Sequence, residues 1–253
     1  MLSAINQNIR TFYERTFWNV PTAITEYGDG YVMTYSGYAW LSGANQLWID
    51  DPAALDSILL TKTVQFFRMY FAEWSTLIIP QVHPEIMTAL RDMGSILRWK
   101  SPIMALEGLP LVIPPSDNPP RIRVQQAQGE TLRQLASGII GEVFHMDAHV
   151  RENVVRPEHD HDEYIHHYIA FHDDHPAAAA TLIYAGGIAG IWNVGTRSMF
   201  RRRGLAQALM LRMCRDAVAS GHPISALMAS GQGKPVYLKM NYRVVAEAHY
   251  MGF

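Results

Sequence analysis

The sequence has one cysteine in 253 residues, Cys214, and few charged side chains. A single cysteine excludes an internal disulfide and the zinc sites built on cysteine pairs, so nothing in the sequence indicates an oxidising compartment. Charged residues make up 17% and the formal net charge is −2, which gives no overall reason to expect a nucleic acid partner. Hydrophobic residues make up 49%, so the chain can bury a core, and we expect a globular protein.

No apolar run is long enough to span a membrane. The longest uncharged one, residues 177–192, is shorter than the about 20 residues of a spanning helix, and the pair Gly186-Gly187 interrupts it. The first twenty residues carry three charged side chains and therefore predict the protein's own first helix rather than a secretory peptide. We expect a cytoplasmic protein with no membrane partner.

Prolines cluster at one place in the chain. Five of the fourteen fall within residues 110–120, where fixed dihedrals and missing amides disfavour both helix and central strand. The sequence therefore predicts an N-terminal domain over residues 1–112, a linker over 113–120 and a second domain over 121–253.

The second domain contains a strand, a glycine-containing loop and a helix in succession. Residues 179–185 and 188–196 flank Gly186-Gly187 and predict an antiparallel hairpin. The second strand leads into the loop R-R-R-G-L-A, and residues 205–220 have helical periodicity, with Cys214 expected to be a buried, inert thiol. Exposed amides at a helix start and the helix dipole favour a phosphate ligand there.

Two motifs in this domain resemble the GCN5-related N-acetyltransferase (GNAT) superfamily. The loop Arg201 to Ala206 is similar to the family's R-x-x-G-x-G/A, and the segment Tyr237 to Tyr242 is similar to Y-x-x-x-G-F, with Asn241 in place of glycine. Asparagine is the commonest non-glycine residue in the left-handed conformation that ends a helix, so we expect that conformation at Asn241. The resemblance covers residues 179–250 closely and residues 121–175 in topology alone. It implies an α+β fold with a central mixed, mostly antiparallel sheet flanked by helices.

The resemblance also implies an enzyme that transfers an acetyl group from acetyl-CoA, as co-substrate, directly to a primary amine. The family's pattern assigns the pantetheine arm, the pyrophosphate and the departing thiolate to three sets of groups. They are the amides of Val194, Gly195 and Thr196; the phosphate loop of Arg201, Arg202, Arg203, Gly204, Leu205 and Ala206; and the phenol of Tyr237. Ser230 stands where family members often have an asparagine that contacts the cofactor.

The family pattern leaves the general base unassigned, because residues 188–196 contain no carboxylate. A non-catalytic CoA-binding or structural protein is therefore the alternative interpretation. The acceptor stays open among a small polyamine, an antibiotic, an amino acid and a peptide N-terminus. The sequence also leaves open whether the protein forms a homodimer. The arginine run has no accompanying basic stripe with interleaved aromatics, so we expect no nucleic acid partner.

Charge is distributed unevenly along the second domain. Residues 142–174 carry nine acidic side chains and two arginines, whereas residues 197–243 carry nine basic side chains and one aspartate. We expect the acidic stretch to attract a cationic amine, with Asp160, Asp162 and Glu163 as candidate substrate residues. Residues 159–175 hold six of the eleven histidines. They favour a solvated loop or helix face; metal binding is a weaker alternative, and we expect no metal.

The first half contains a faint copy of the second. A shift of 148 residues sets residues 75–80 against 223–228 and places Asp56 opposite Gly204, with none of the arginines matched by a basic residue. This pattern predicts a degenerate GNAT-like N-terminal domain that does not bind CoA phosphates. An unrelated α+β cap is the alternative.

Overall fold

The structure is a computed structural model, and it describes residues 1–110 and 122–253. The expected linker over residues 113–120 lies outside the described residues. Helices and strands both occur in each half of the chain, so the fold class is α+β, as predicted.

The helices, in chain order, are α1 (Leu2–Tyr13), α2 (Ser57–Met69), α3 (Pro84–Asp92), α4 (Glu130–Phe144), α5 (Ala148–Val154), α6 (Leu205–Ala219) and α7 (Lys234–Lys239). The strands are β1 (Ile24–Gly28), β2 (Tyr31–Tyr35), β3 (Gln46–Ile49), β4 (Thr76–Ile78), β5 (Ile96–Glu107), β6 (Ile122–Gln126), β7 (Ile165–His172), β8 (His175–Ala185), β9 (Ile188–Thr196), β10 (Ile224–Met228) and β11 (Arg243–Gly252). Short helical turns cover Glu14–Trp18, Pro52–Ala54, Pro157–His161 and Ser198–Phe200.

The chain forms two compact units whose boundaries are not those of the expected domains. The larger unit holds Met1, Ser3–Thr11 and Met104–Val244, and the smaller holds Leu2, Phe12–Ile103 and Val245–Phe253. Most of α1 therefore belongs with the second half of the chain, and most of β11 with the first. The expected division at residues 112 and 121 places α1 in the first domain and β11 in the second, because it follows the order of residues along the chain. In the folded chain most of each element packs with the other half.

The larger unit is built on a sheet with the strand order β5-β10-β9-β8-β7-β6. Strands β6 to β9 pair antiparallel, and β10 pairs parallel with β9. The predicted hairpin is confirmed: Gly186 and Gly187 have φ values of 64° and 75°, which the tight turn requires and glycine adopts readily. Strand β8 is buried along nearly its whole length, so α6 and α4, which both pack on it, cover opposite faces.

Polar contacts fix α6 on its face of the sheet. The Tyr168 hydroxyl donates to Asp216 at 2.7 Å, and Arg212 binds the same carboxylate at 3.0 Å. Arg212 also donates to the Val124 carbonyl at 3.1 Å, which ties the helix to β6. These contacts hold α6 against β6 and β7.

A single asparagine fixes α1 to the β8–β9 hairpin. The Asn8 amide donates to the Ile183 carbonyl at 2.9 Å and accepts from Trp192 Nε1 at 3.2 Å. Gly190 lies directly below, and a Cβ there would be 1.7 Å from Asn8 Oδ1. The close approach of the helix therefore requires glycine at residue 190.

The smaller unit contains an antiparallel sheet β1-β2-β3 and the strand order β4-β11-β5. Its core is a cluster of buried apolar residues that includes Met33, Phe67 and Leu90. At a shift of 148 residues, α2 coincides with the start of α6, and β4 with the start of β10. The internal copy seen in the sequence thus recurs as the same order of elements.

The histidine-rich segment, residues 159–175, is a solvated loop or helix only in its first part, and that expectation was wrong for the rest. His161, Glu163 and Tyr164 are exposed. Ile165–His172 is strand β7, which lies between β6 and β8 and is mostly buried. His167 is buried because its two ring nitrogens contact His159 at 2.8 Å and Thr181 at 3.0 Å. Partners supplied by distant residues allow this polar sequence to form a central strand. No helix of the described residues is long and apolar enough to cross a membrane.

We predict that Gly190→Ala lowers the free energy of unfolding by about 1–3 kcal/mol, because the added methyl group overlaps Asn8 and forces the helix to move. Gly138→Ala is the matched control: Gly138 lies within α4, and a methyl group added there would have no neighbour within 4 Å, so the change should be neutral or slightly stabilising. Denaturant unfolding measures both. Equal stability of the two variants would contradict the contact.

Candidate functional site

The larger unit has a gap between two parallel strands. In the described chain β9 and β10 pair at Ala189 with Ser225 and at Gly190 with Ala226, and beyond these positions they part. The remainder of β9 pairs with β8 on one edge. Its other edge faces the gap, so alternate backbone N–H and C=O groups of residues 191–196 can bind an extended ligand. The predicted pantetheine-binding residues Val194, Gly195 and Thr196 lie on this part of the strand.

The N-terminus of α6 lies just beyond this end of β9. Gly204 is its N-cap residue, with φ of 82°, and no side chain of the described residues caps the first amides. Arg201, Arg202 and Arg203 are exposed immediately before it. Uncapped amides, the helix dipole and three guanidinium groups form a site suited to a diphosphate. Leu205, the first residue of α6, is buried in the core of the larger unit and holds the first turn of the helix in place.

Helix α2 of the smaller unit corresponds to α6, but its N-terminus is capped by a side chain. Asp56 is the N-cap residue of α2, and its carboxylate accepts from the Leu59 amide at 2.7 Å. The side chain therefore occupies the place that a phosphate oxygen would take, and its charge repels anions.

Tyr237 lies on α7, which follows β10. Its side chain is 8% exposed and packs in the main core of the larger unit, where burial raises the pKa of its phenol to about 12. Its ring packs on Gly233, where a Cβ would be 2.8 Å from it. Ser230 accepts from the Gly233 amide at 3.1 Å, so its hydroxyl shapes the turn that carries the tyrosine. Asn241 has φ of 71°, the left-handed conformation expected at the end of this helix.

A small cavity lies at the closed end of the gap, and no pattern in the sequence indicated it. Trp192 and Met228, two residues beyond the last strand pair, both line it. The full lining is Ile5, Asn8, Ile9, Trp192, Ala226, Leu227 and Met228. Helix α1 therefore contributes to the site, although its residues are some 180 positions away in the chain.

Strand β9 carries a second feature that sequence reasoning missed. Asn193 has φ of 52°, at an irregularity in the pairing of β8 with β9. Its side-chain nitrogen is buried and has no hydrogen-bond partner among the described residues. A strand interruption of this kind re-aims the backbone groups that face the gap.

The candidate substrate residues Asp160, Asp162 and Glu163 lie at the other end of the sheet. They precede Ile165, which pairs across the sheet with Ile183 and so with Gly190, whereas α6 follows Thr196. The structure therefore does not bring them together with the phosphate loop.

Ion pairs offset much of the acidic charge counted in the sequence. Asp160 forms an ion pair with Arg133 and accepts from the Gly129 amide. Glu142 binds Arg197 at 2.8 Å. The negative field of residues 142–174 is thus weaker than their net charge indicates, because part of it is neutralised by partners outside that stretch.

The cysteine thiol and the possible metal ligands of the described residues form no second reactive site. Cys214 is buried, as predicted, and burial raises the pKa of its thiol, which contacts the Tyr242 hydroxyl at 3.3 Å. Over residues 1–110 and 122–253, no group of three or more histidine, cysteine or acidic side chains is arranged to hold a metal ion.

Comparison with protein families matches the segment that carries the gap, the phosphate loop and α7. Residues 186–245 fit the family model described as an acetyltransferase (GNAT) domain. No curated protein matched the sequence.

Solved structures share the fold over nearly the whole chain. A GCN5-related N-acetyltransferase from Kribbella flavida is 16% identical with a TM-score of 0.72, over 97% of this chain and 92% of that one. A second, from Sphaerobacter thermophilus, is 15% identical with a TM-score of 0.62, over 89% and 81%. A tandem GNAT protein from the clavulanic acid biosynthesis pathway is 11% identical with a TM-score of 0.63, over 94% and 85%. The GNAT fold thus accounts for both halves of this chain.

We predict that acetyl-CoA binds with a stoichiometry of one per chain and that Gly204→Glu abolishes the binding, since a carboxylate at the N-cap repels phosphate. Asp56→Ala is the matched control at the corresponding position of α2. It should cost about 0.5–2 kcal/mol of stability through the lost cap and leave the affinity unchanged. Isothermal calorimetry decides: two sites, or an unaltered affinity in Gly204→Glu, would refute the assignment.

Proposed function

We propose that this protein is an acetyl-CoA-dependent N-acetyltransferase, and that its site is the gap between β9 and β10 of the larger unit. The observation that carries the proposal is the uncapped, arginine-flanked N-terminus of α6 beside the open edge of β9. The matching family model supports it. The proposed acceptor is a primary amine of a small cationic molecule.

The chain's own groups have defined parts in this reaction. The α6 amides and the arginines of the loop bind the pyrophosphate, and the free edge of β9 aligns the pantetheine arm. The gap thereby holds the thioester at a fixed place, where the amine nitrogen attacks the carbonyl carbon. Such positioning supplies a large part of the rate in a direct transfer between two substrates.

Tyr237 is the proposed general acid. When the carbon–sulfur bond breaks, its hydroxyl donates a proton to the leaving thiolate, and the new amide loses the ammonium proton to water. The raised pKa, about 12, keeps the phenol protonated at neutral pH. Deprotonation of Tyr237 therefore does not limit activity between about pH 7 and pH 10.

A CoA-binding protein without turnover is the second candidate. It is favoured by the absence of any carboxylate on β9, where a general base could lie beside the amine. It predicts tight CoA binding with no acetyl transfer to any of a panel of amines.

We predict that Tyr237→Phe lowers kcat by about 10- to 1000-fold and leaves the affinity for acetyl-CoA nearly unchanged, because the proton is needed only as the thiolate forms. Tyr242→Phe is the control, since Tyr242 is a buried neighbour whose hydroxyl contacts Ser225 at 2.7 Å and serves packing. It should lower stability but not kcat. Full activity in Tyr237→Phe would exclude the general-acid role and leave Tyr237 with a packing role in the core.

We predict that replacing Asp162 and Glu163 together by Asn and Gln raises the KM of the best amine in a panel by about threefold or more and weakens its salt dependence, because the field that attracts the cation is reduced. The KM of acetyl-CoA should stay constant. Asp160→Asn is expected to act on stability instead, since it removes the partner of Arg133. A preference for neutral or acidic acceptors would refute the cationic substrate.

A further inference from the structure

The cavity at the closed end of the gap lies where an arm held along β9 would end. From Thr196 to Trp192 the strand rises by about 13 Å, at about 3.3 Å per residue. A ligand with its pyrophosphate at α6 and its arm along this path points its thioester at the cavity, which Trp192 and Met228 line.

Helix α1 forms one wall of this cavity. Ile5 and Ile9, one turn apart, are 2% and 1% exposed, and both line it. Asn8 lies between them and holds the helix to β8 and β9 through the Ile183 carbonyl and Trp192. The wall is therefore fixed in place, and its position depends on the absence of a side chain at Gly190.

The cavity is narrow and apolar. Its volume is about 10 Å³, and isoleucine, alanine, leucine and methionine form most of its lining. That is about the space that one water molecule occupies. An acetyl methyl group is only slightly larger than a water molecule, whereas a butyryl group carries two further methylenes for which a close-packed wall leaves no room.

We propose that this cavity receives the acyl group and that Ile5 and Ile9 of α1 limit the acyl-CoA donor to short chains, acetyl above all. The inference rests on the proposed function of the same gap. It makes α1 the element that determines donor specificity, although α1 is far in sequence from the GNAT domain.

The test is calorimetric binding of CoA, acetyl-CoA and butyryl-CoA, which requires no knowledge of the amine. The wild-type protein should bind acetyl-CoA at least about tenfold more tightly than butyryl-CoA, the discrimination that methylenes in a tight pocket produce. Ile9→Ala should reduce that ratio by about tenfold or more, because it opens the wall. Ile140→Ala, a buried isoleucine of α4 outside the cavity lining, is the matched control and should leave the ratio unchanged.

Two further variants keep the test decisive if Ile9→Ala does not fold. Ile5→Ala opens the same wall one turn earlier in α1. Ala226→Val narrows the cavity from β10 and should lower the affinity for acetyl-CoA more than the affinity for CoA. The inference is overturned if CoA and acetyl-CoA bind but the acetyl-to-butyryl ratio is equal in the wild type and all cavity variants. Binding of none of the three ligands would overturn the proposed function, and the inference with it.

Discussion

The proposed site depends on one helix N-terminus whose amides no side chain of the described residues caps. Gly204 adopts the left-handed conformation at the start of α6 and offers no side chain to the first turn. Unpaired amides at a helix start are stabilised by water or by an anion, so this end of the helix is energetically prepared for a phosphate. Two contacts hold α6 on the sheet: Asp216 accepts from Tyr168 of β7, and Arg212 donates to the Val124 carbonyl of β6.

The two halves show how small a change separates a binding site from a structural element. Helices α2 and α6 begin at corresponding positions of the internal copy, and Asp56 stands where α6 has Gly204. The aspartate satisfies its own helix, which stabilises the smaller unit and removes its phosphate site. The larger unit lacks that stabilising cap, and the open amides of α6 are its proposed anion site. In this proposal a single residue separates the scaffold role of one unit from the cofactor role of the other.

Short sequence patterns predicted those parts of the candidate site whose structure depends only on residues near one another in the chain. The hairpin around Gly186, the helix starting after Gly204 and the left-handed Asn241 all follow from short-range rules and were found as expected. Contacts between distant segments could not be predicted in this way. The burial of His167 depends on His159 and Thr181, and the cavity wall on Asn8, which meets Gly190 only in the folded chain. Counting charges along the chain also omits such contacts, since Arg133 lies outside the acidic stretch whose Asp160 it binds.

The most direct test of the phosphate site at α6 is a crystal structure of the protein with CoA bound. We expect one CoA per chain, with its pyrophosphate within hydrogen-bond distance of the first amides of α6 and its arm along the free edge of β9. The N-terminus of α2 should carry none, with Asp56 still bonded to the Leu59 amide. A pyrophosphate at α2, or CoA bound away from the gap between β9 and β10, would contradict the assignment.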